Sequence, residues 1–132
     1  MDSKPRVEEY MTREVSTVSP DDTVAEVTRW IVESEGHNGF PVCRGLTAEG
    51  FVTARDLLAA DGQTPIQEVM STDVLVADPE MSVTDAARVI LRSGIQKLPV
   101  VDDEGQLIGI LSNTDVVRSQ IERVTPEKVG KL

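Results

Sequence analysis

Two short stretches of the chain, GFVTARD and GILSNTD, carry the same residue types in the same order and begin 59 positions apart. In each, a glycine enters an apolar run, and a hydroxyl residue is followed three positions later by an aspartate. Thr53 and Ser112 are predicted to cap a helix, with Asp56 and Asp115 in its first turn, where a carboxylate is favoured. The glycine lets another backbone or a ligand approach closely. The pattern predicts either a capping motif or a ligand site.

The similarity of these stretches extends over nearly the whole chain. The N-terminal VEEYMT matches IQEVMS at the same offset, and the two Pro-Val dipeptides match at an offset shorter by one because Glu35 is an extra residue. Such self-similarity indicates a duplicated unit. The predicted organisation is a first repeat, a linker, a second repeat and a charged C-terminal tail, at residues 7–60, 61–65, 66–120 and 121–132.

Each repeat is predicted to have the order β-α-β-β-α. In the second, a β-branched run over 74–77 predicts a strand, Ser82 begins a helix, and Gly94 ends it. The apolar residues of this helix follow a helical period and predict its buried face: Val83, Ala86, Ala87, Ile90 and Leu91. The first repeat has a strand over 15–18 and a helix that ends at Gly36. The fold class is α+β (α/β-like), with two tandem repeats related by pseudo-two-fold symmetry and packed through their sheets.

Composition narrows the classes of function. The chain has 132 residues, of which 39% are apolar and 3% aromatic, with a net charge of −10. A surface this acidic repels phosphate backbones, so direct nucleic-acid binding is not expected. Cys43 is the single cysteine, which rules out an intramolecular disulfide. No apolar run is long enough to cross a bilayer, so we expect a cytoplasmic protein without membrane contact.

The order of these motifs resembles the CBS domain, named after cystathionine β-synthase. The matching stretches are SPDDTV, GHNGFPV and GFVTARD in the first repeat and DPEMSV, GIQKLPVVD and GILSNTD in the second. Two in tandem are similar to the CBS pair, or Bateman module. The resemblance implies regulatory binding of adenosine-containing ligands (AMP, ADP, ATP, S-adenosylmethionine, sometimes NAD) in clefts between the repeats, with no required cofactor. It also implies a homodimer that acts on an unknown effector protein.

The resemblance assigns roles to individual residues. Asp56 and Asp115 match the ribose-binding position of the family, and Thr53 and Ser112 match its phosphate-contacting hydroxyl. The residues implied to surround the adenine or border the ligand lie beside the two prolines of the Pro-Val motifs or before the helices: Ser16, Thr17, Val18, His37, Asn38, Pro41, Leu75, Val76, Gln96 and Pro99.

The repeats differ at one implied phosphate contact. Lys97 matches a position that often carries positive charge in the family, whereas the first repeat has Gly39 there, and Arg55 is the alternative source of charge. A ligand with little or no phosphate therefore suits the first repeat better.

Three alternatives stay open from sequence. His37, the single histidine, either faces solvent or lines the ligand site. Because one histidine is almost too little for a histidine-based catalytic or metal site, an enzyme is not expected. The first repeat has a weak strand over 47–49, which favours a ligand-free dimerisation or interaction scaffold. The chain can also be the front part of a larger effector protein.

Overall fold

The computed structural model describes residues 4–34 and 37–122. The predicted helix end at Gly36 and residues 123–132 of the predicted tail lie outside the described residues. Helices and strands alternate as in two copies of one unit: α1 Val7–Tyr10, α2 Val24–Glu33, β1 Gly39–Arg44, β2 Thr47–Thr53, α3 Ala54–Leu58, α4 Val83–Ser93, β3 Lys97–Val101, β4 Leu107–Ser112 and α5 Asn113–Glu122. A 3-10 turn covers Ile66–Glu68. The mixed helix and strand content and small sheets confirm the predicted α+β class.

The described residues form two compact units that are not divided at the boundary between the sequence repeats. We call residues 16–75 with 104–107 the repeat-1 unit, and residues 4–15 with 76–103 and 108–122 the repeat-2 unit. The repeat-2 unit thus contains the N-terminal helix α1, and the repeat-1 unit contains the 3-10 turn that the sequence places at the start of the second repeat.

The repeat-1 unit is built on the antiparallel β1–β2 hairpin, which has a register shift between Val42 and Cys43. The expectation of a weak strand over 47–49 was wrong, because β2 begins at Thr47 and pairs with β1 across this irregularity. One apolar core joins the hairpin to α2, α3 and the 3-10 turn: Val18, Val24, Val27, Phe40, Val42, Val52, Leu57 and Ile66.

The repeat-2 unit has the same plan around the two-stranded β3–β4 sheet. Ser82 accepts a hydrogen bond from the Asp85 amide at the start of α4, and Gly94 ends the helix in the left-handed conformation with φ of 73°. Its core joins Val7 and Met11 of the N-terminal segment to residues of the second repeat: Ala77, Ala86, Ile90, Leu98, Val100 and Leu111. The prediction that Leu91 faces this core was wrong, since its side chain is 81% exposed.

The first strand predicted in each repeat is shorter than expected. Val18 makes one parallel bridge to Val42, and Ala77 makes one parallel bridge to Val100. The preceding residues over 15–17 and 74–76 belong to no helix or strand. A proline two residues after each bridge removes an amide donor, which is consistent with pairing that stops after one bridge.

Candidate functional site

In the repeat-1 unit, Thr53 and Asp56 form a capping box at the start of α3. The Thr53 Oγ1 accepts from the Asp56 amide at 3.4 Å, and Asp56 Oδ2 accepts from the Thr53 amide at 2.9 Å and from its hydroxyl at 3.1 Å. Thr53 is exposed and Asp56 partly exposed. The capping interpretation is therefore confirmed, and it leaves both side chains accessible.

The hairpin brings the other predicted residues of this unit toward that helix start. Thr53 lies opposite Gly39 in the β1–β2 register, and the Ala54 amide donates to the Asn38 carbonyl at 2.9 Å. The Val18 amide donates to the Pro41 carbonyl at 3.1 Å, so the segment before α2 contacts β1 at Val18.

The remaining predicted residues of the repeat-1 unit differ in exposure. Ser16 and Thr17 are exposed in the segment before α2, Arg55 is exposed on α3, and Leu75 is exposed at the end of the unit. The His37 ring lies 5.4 Å from the Phe40 ring between centroids, and among the described residues its buried Nδ1 has no hydrogen-bond partner.

In the repeat-2 unit, Ser112 and Asp115 repeat the capping geometry at the start of α5. Asp115 Oδ2 accepts from the Ser112 amide at 2.9 Å and from its hydroxyl at 3.1 Å, and the Asp115 amide donates to Ser112 Oγ at 3.2 Å. Unlike Asp56, Asp115 is only 4% exposed.

The other predicted residues of the repeat-2 unit lie near the start of β3. The Ala77 amide donates to the Pro99 carbonyl at 2.8 Å, as Val18 does to its proline. Lys97 is partly buried, whereas Gln96 and Val76 are exposed. The predicted residues therefore separate into two sets, one in each unit.

The structure explains why the first repeat has no cation opposite its helix start. A Cβ at Gly39 would lie 2.8 Å from the Val52 carbonyl oxygen and 2.8 Å from the Phe51 ring. Real Cβ atoms do not approach backbone this closely, so a side chain like that of Lys97 has no room there.

Gly50 and Gly109 permit close approach by backbone segments of their own units. A Cβ at Gly50 would lie 2.6 Å from the Ser71 carbonyl oxygen, and one at Gly109 would lie 2.6 Å from Met11 Sδ and 3.0 Å from the Thr12 carbonyl oxygen. In each unit this glycine therefore leaves the space that the Met-hydroxyl dipeptide of the repeated VEEYMT/IQEVMS motif occupies.

Sequence reasoning missed three residues around Asp115. Arg118 Nη2 donates to Asp115 Oδ1 at 3.3 Å and to the Tyr10 carbonyl at 2.7 Å, and Thr12 Oγ1 lies 3.4 Å from both carboxylate oxygens. The spacing of Arg118 and Asp115 on one helix could have indicated their ion pair. Nothing in the local sequence indicates that Tyr10 and Thr12 pack there.

The described residues offer little other chemistry. They contain no group of histidine, cysteine and acidic side chains that could hold a metal ion. Burial raises the pKa of the Cys43 thiol, and the charge of Glu49 raises it further. In the part of the chain that the structure describes, every helix is too short or too polar to cross a bilayer.

Comparison with known proteins matches the CBS domain twice, at residues 7–62 and 66–122. The chain is 44% identical to the uncharacterized protein MJ0188 of Methanocaldococcus jannaschii over 129 residues, which is 96% of this chain and 48% of the relative. The chain thus spans about half the length of that relative.

Solved structures that share the fold include the following two. CBSX2 from Arabidopsis thaliana, in complex with AMP, is 30% identical with a TM-score of 0.81, and the match covers 90% of this chain and 98% of the other. The cytosolic domain of the Mg2+ channel MgtE, in complex with ATP, is 29% identical with a TM-score of 0.77, and the match covers 86% of this chain and 48% of the other.

Proposed function

Because the chain belongs to the CBS domain family, we propose that it is a regulatory module that binds an adenosine-containing ligand and has no catalytic activity of its own. The ligand classes are AMP, ADP, ATP and S-adenosylmethionine. CBSX2 in complex with AMP and MgtE in complex with ATP support this class. We also propose a cytoplasmic location.

The observation that carries the proposal is the hydroxyl–carboxylate pair at the same point of both units. A ribose presents two neighbouring hydroxyl donors, and one ionised carboxylate can accept from both. Asp56 Oδ2 is used by Thr53, whereas Oδ1 has no donor among the described residues. The two acceptor positions of Oδ1 match the two donors of a ribose diol.

The surroundings of Asp56 favour a ligand with few phosphates. Gly39 stands where the second repeat has Lys97, and its Cβ position is filled by Phe51 and Val52. Arg55, the alternative source of positive charge in the first repeat, is exposed, so solvent weakens its attraction for a phosphate. The repeat-1 unit should therefore bind adenosine or AMP with little gain from further phosphates.

A ligand of this kind would act by favouring one conformation over another. It would join the segment that contains Val18 to the start of α3, and the protein would respond by the difference in affinity between its states. An effector protein of unknown identity would read that change.

The proposal is tested by calorimetric titration of the protein with adenosine, AMP, ATP and S-adenosylmethionine. We expect saturable binding of at least one of them and less than about a tenfold difference between adenosine and AMP. Inosine is the matched control for the base. The absence of heat and of thermal stabilisation with all four ligands would contradict the proposal.

A homodimer is proposed from the exposed apolar residues of the helices. Leu58 on α3 is 87% exposed, and Val117 occupies the equivalent place on α5 and is 56% exposed. Val32 and Leu91 form a second equivalent pair on α2 and α4, and both are exposed. Apolar residues exposed at matching positions of a duplicated unit suit a self-complementary interface. This observation also favours the second candidate function, a ligand-free dimerisation scaffold.

A further inference from the structure

The Asp115 carboxylate has no acceptor position left for a ligand. Ser112 donates to Oδ2 from its amide at 2.9 Å and its hydroxyl at 3.1 Å, and Arg118 donates to Oδ1 at 3.3 Å. Thr12 Oγ1 lies 3.4 Å from both oxygens. A carboxylate has about four acceptor positions, so these donors fill them. Its side chain is only 6% exposed, which also keeps out a new donor.

The same contacts hold the N-terminal segment in place. Arg118 Nη2 donates to the Tyr10 carbonyl at 2.7 Å, and the guanidinium lies 6.0 Å from the centre of the Tyr10 ring. Thr12 exchanges two backbone hydrogen bonds with Ile110, at 2.8 and 2.9 Å. Arg118 therefore connects the carboxylate at the start of α5 to the segment that precedes it by over a hundred residues.

The equivalent carboxylate in the repeat-1 unit has no such connection. Ala59 stands at the position equivalent to Arg118 and has no side-chain donor, and Ser71 stands at the position equivalent to Thr12. Among the described residues, Thr53 is the one side-chain donor to Asp56. The two repeats therefore have the same capping motif, and the carboxylate is open in one and closed in the other.

We propose that Asp115, Arg118 and Thr12 form a latch on residues 10–12, and that a ribose reaches Asp115 only after this latch opens. The inference rests on the proposed function and adds an order to it. The ligand binds first at Asp56, and its binding at Asp115 is coupled to release of the N-terminal segment. A ligand that binds the open state better shifts the protein toward it.

The latch is tested without a ligand by amide hydrogen exchange. The variant Arg118→Met/Thr12→Val removes both donors and keeps side-chain bulk, and Ser71→Ala is the matched control in the repeat-1 unit. We expect exchange at the amides of Met11 and Thr12 to become about fivefold to tenfold faster in the double variant and to stay unchanged in the control. Unchanged exchange in the double variant would overturn the latch.

The order of binding is tested by calorimetry with AMP on the same proteins. The wild type should bind about one AMP per chain, and the double variant about two, or a second one about tenfold more tightly. Two equal sites in both proteins would overturn the inference. AMP binding by the wild type that is lost in Asp115→Asn and unchanged in Asp56→Asn would overturn it as well. If neither protein binds AMP or adenosine, the proposed function fails, and hydrogen exchange still decides whether the latch exists.

Discussion

The two aspartates of the repeated motif differ in what they contribute to stability. Asp115 is buried and receives bonds from Ser112 and Arg118, whereas Asp56 is partly exposed and, among the described residues, receives bonds from Thr53. We expect Asp115→Ala to lower the free energy of unfolding by about 2–3 kcal/mol and Asp56→Ala by about 1 kcal/mol. Urea denaturation of both variants measures this difference, and equal losses would contradict the observed difference in burial.

The buried thiol of Cys43 makes the free energy of unfolding depend on pH in the alkaline range. Its pKa is raised by burial and then by the charge of Glu49, so the unfolded chain loses this proton near pH 9.0 while the folded chain keeps it. The contribution of the thiol is intact below pH 9.0 and is lost as the pH rises through the folded pKa. Between about pH 8 and pH 10, the wild type should lose more unfolding free energy than Cys43→Ala. Parallel losses in denaturation experiments would show that the thiol titrates alike in both states.

Gly50 and Gly109 determine how closely the Met-hydroxyl segments pack against β2 and β4. A Cβ at Gly50 meets the rigid Ser71 carbonyl at 2.6 Å, whereas at Gly109 the nearest atom is the flexible Met11 sulfur. We expect Gly50→Ala to cost about 2–3 kcal/mol and Gly109→Ala about 1 kcal/mol. Thermal and urea unfolding check the order. Gly62→Ala, whose nearest neighbour would be the Ala25 side chain at 3.3 Å, should cost less than either.

Local patterns predicted most of the elements and the capping geometry. Ser82, Thr53 and Gly94 act as the sequence predicts, because capping depends on neighbours within one turn. The outward position of Leu91 and the single bridge made by Ala77 were not predictable, since both depend on which surfaces other segments cover. Recognition of the repeats supplied the fold class, which single elements alone would have left open.

The sequence predicts the residues of the candidate site and does not predict the difference between its two copies. The hydroxyl and aspartate stand at the same positions of both repeats, so the sequence treats them alike. Their difference comes from Arg118 and its contact with Tyr10, residues 108 positions apart. Such a pairing follows from the tertiary arrangement of the repeat-2 unit and has no local signature.

For the whole molecule, the exposed apolar positions predict how it associates. If α3 and α5 contact a second copy, then Leu58→Glu and Val117→Glu should each raise the dimer dissociation constant by about tenfold or more, because each places a charge in an apolar contact. Leu46→Glu is the control, since Leu46 is exposed in the turn between β1 and β2. Sedimentation equilibrium measures all three, and a monomeric wild type, or equal effects in the control, would contradict the assigned interface.

In the proposed function, the Asp56 carboxylate binds the ribose of an adenosine-containing ligand. The most direct measurement is calorimetric titration of AMP into the wild type and into Asp56→Asn, which keeps the size of the side chain and removes its charge. Glu33→Gln, on the exposed end of α2, removes one charge away from the site. We expect saturable binding by the wild type and Glu33→Gln and at least about a tenfold weaker affinity for Asp56→Asn. Equal affinity in all three proteins would contradict it.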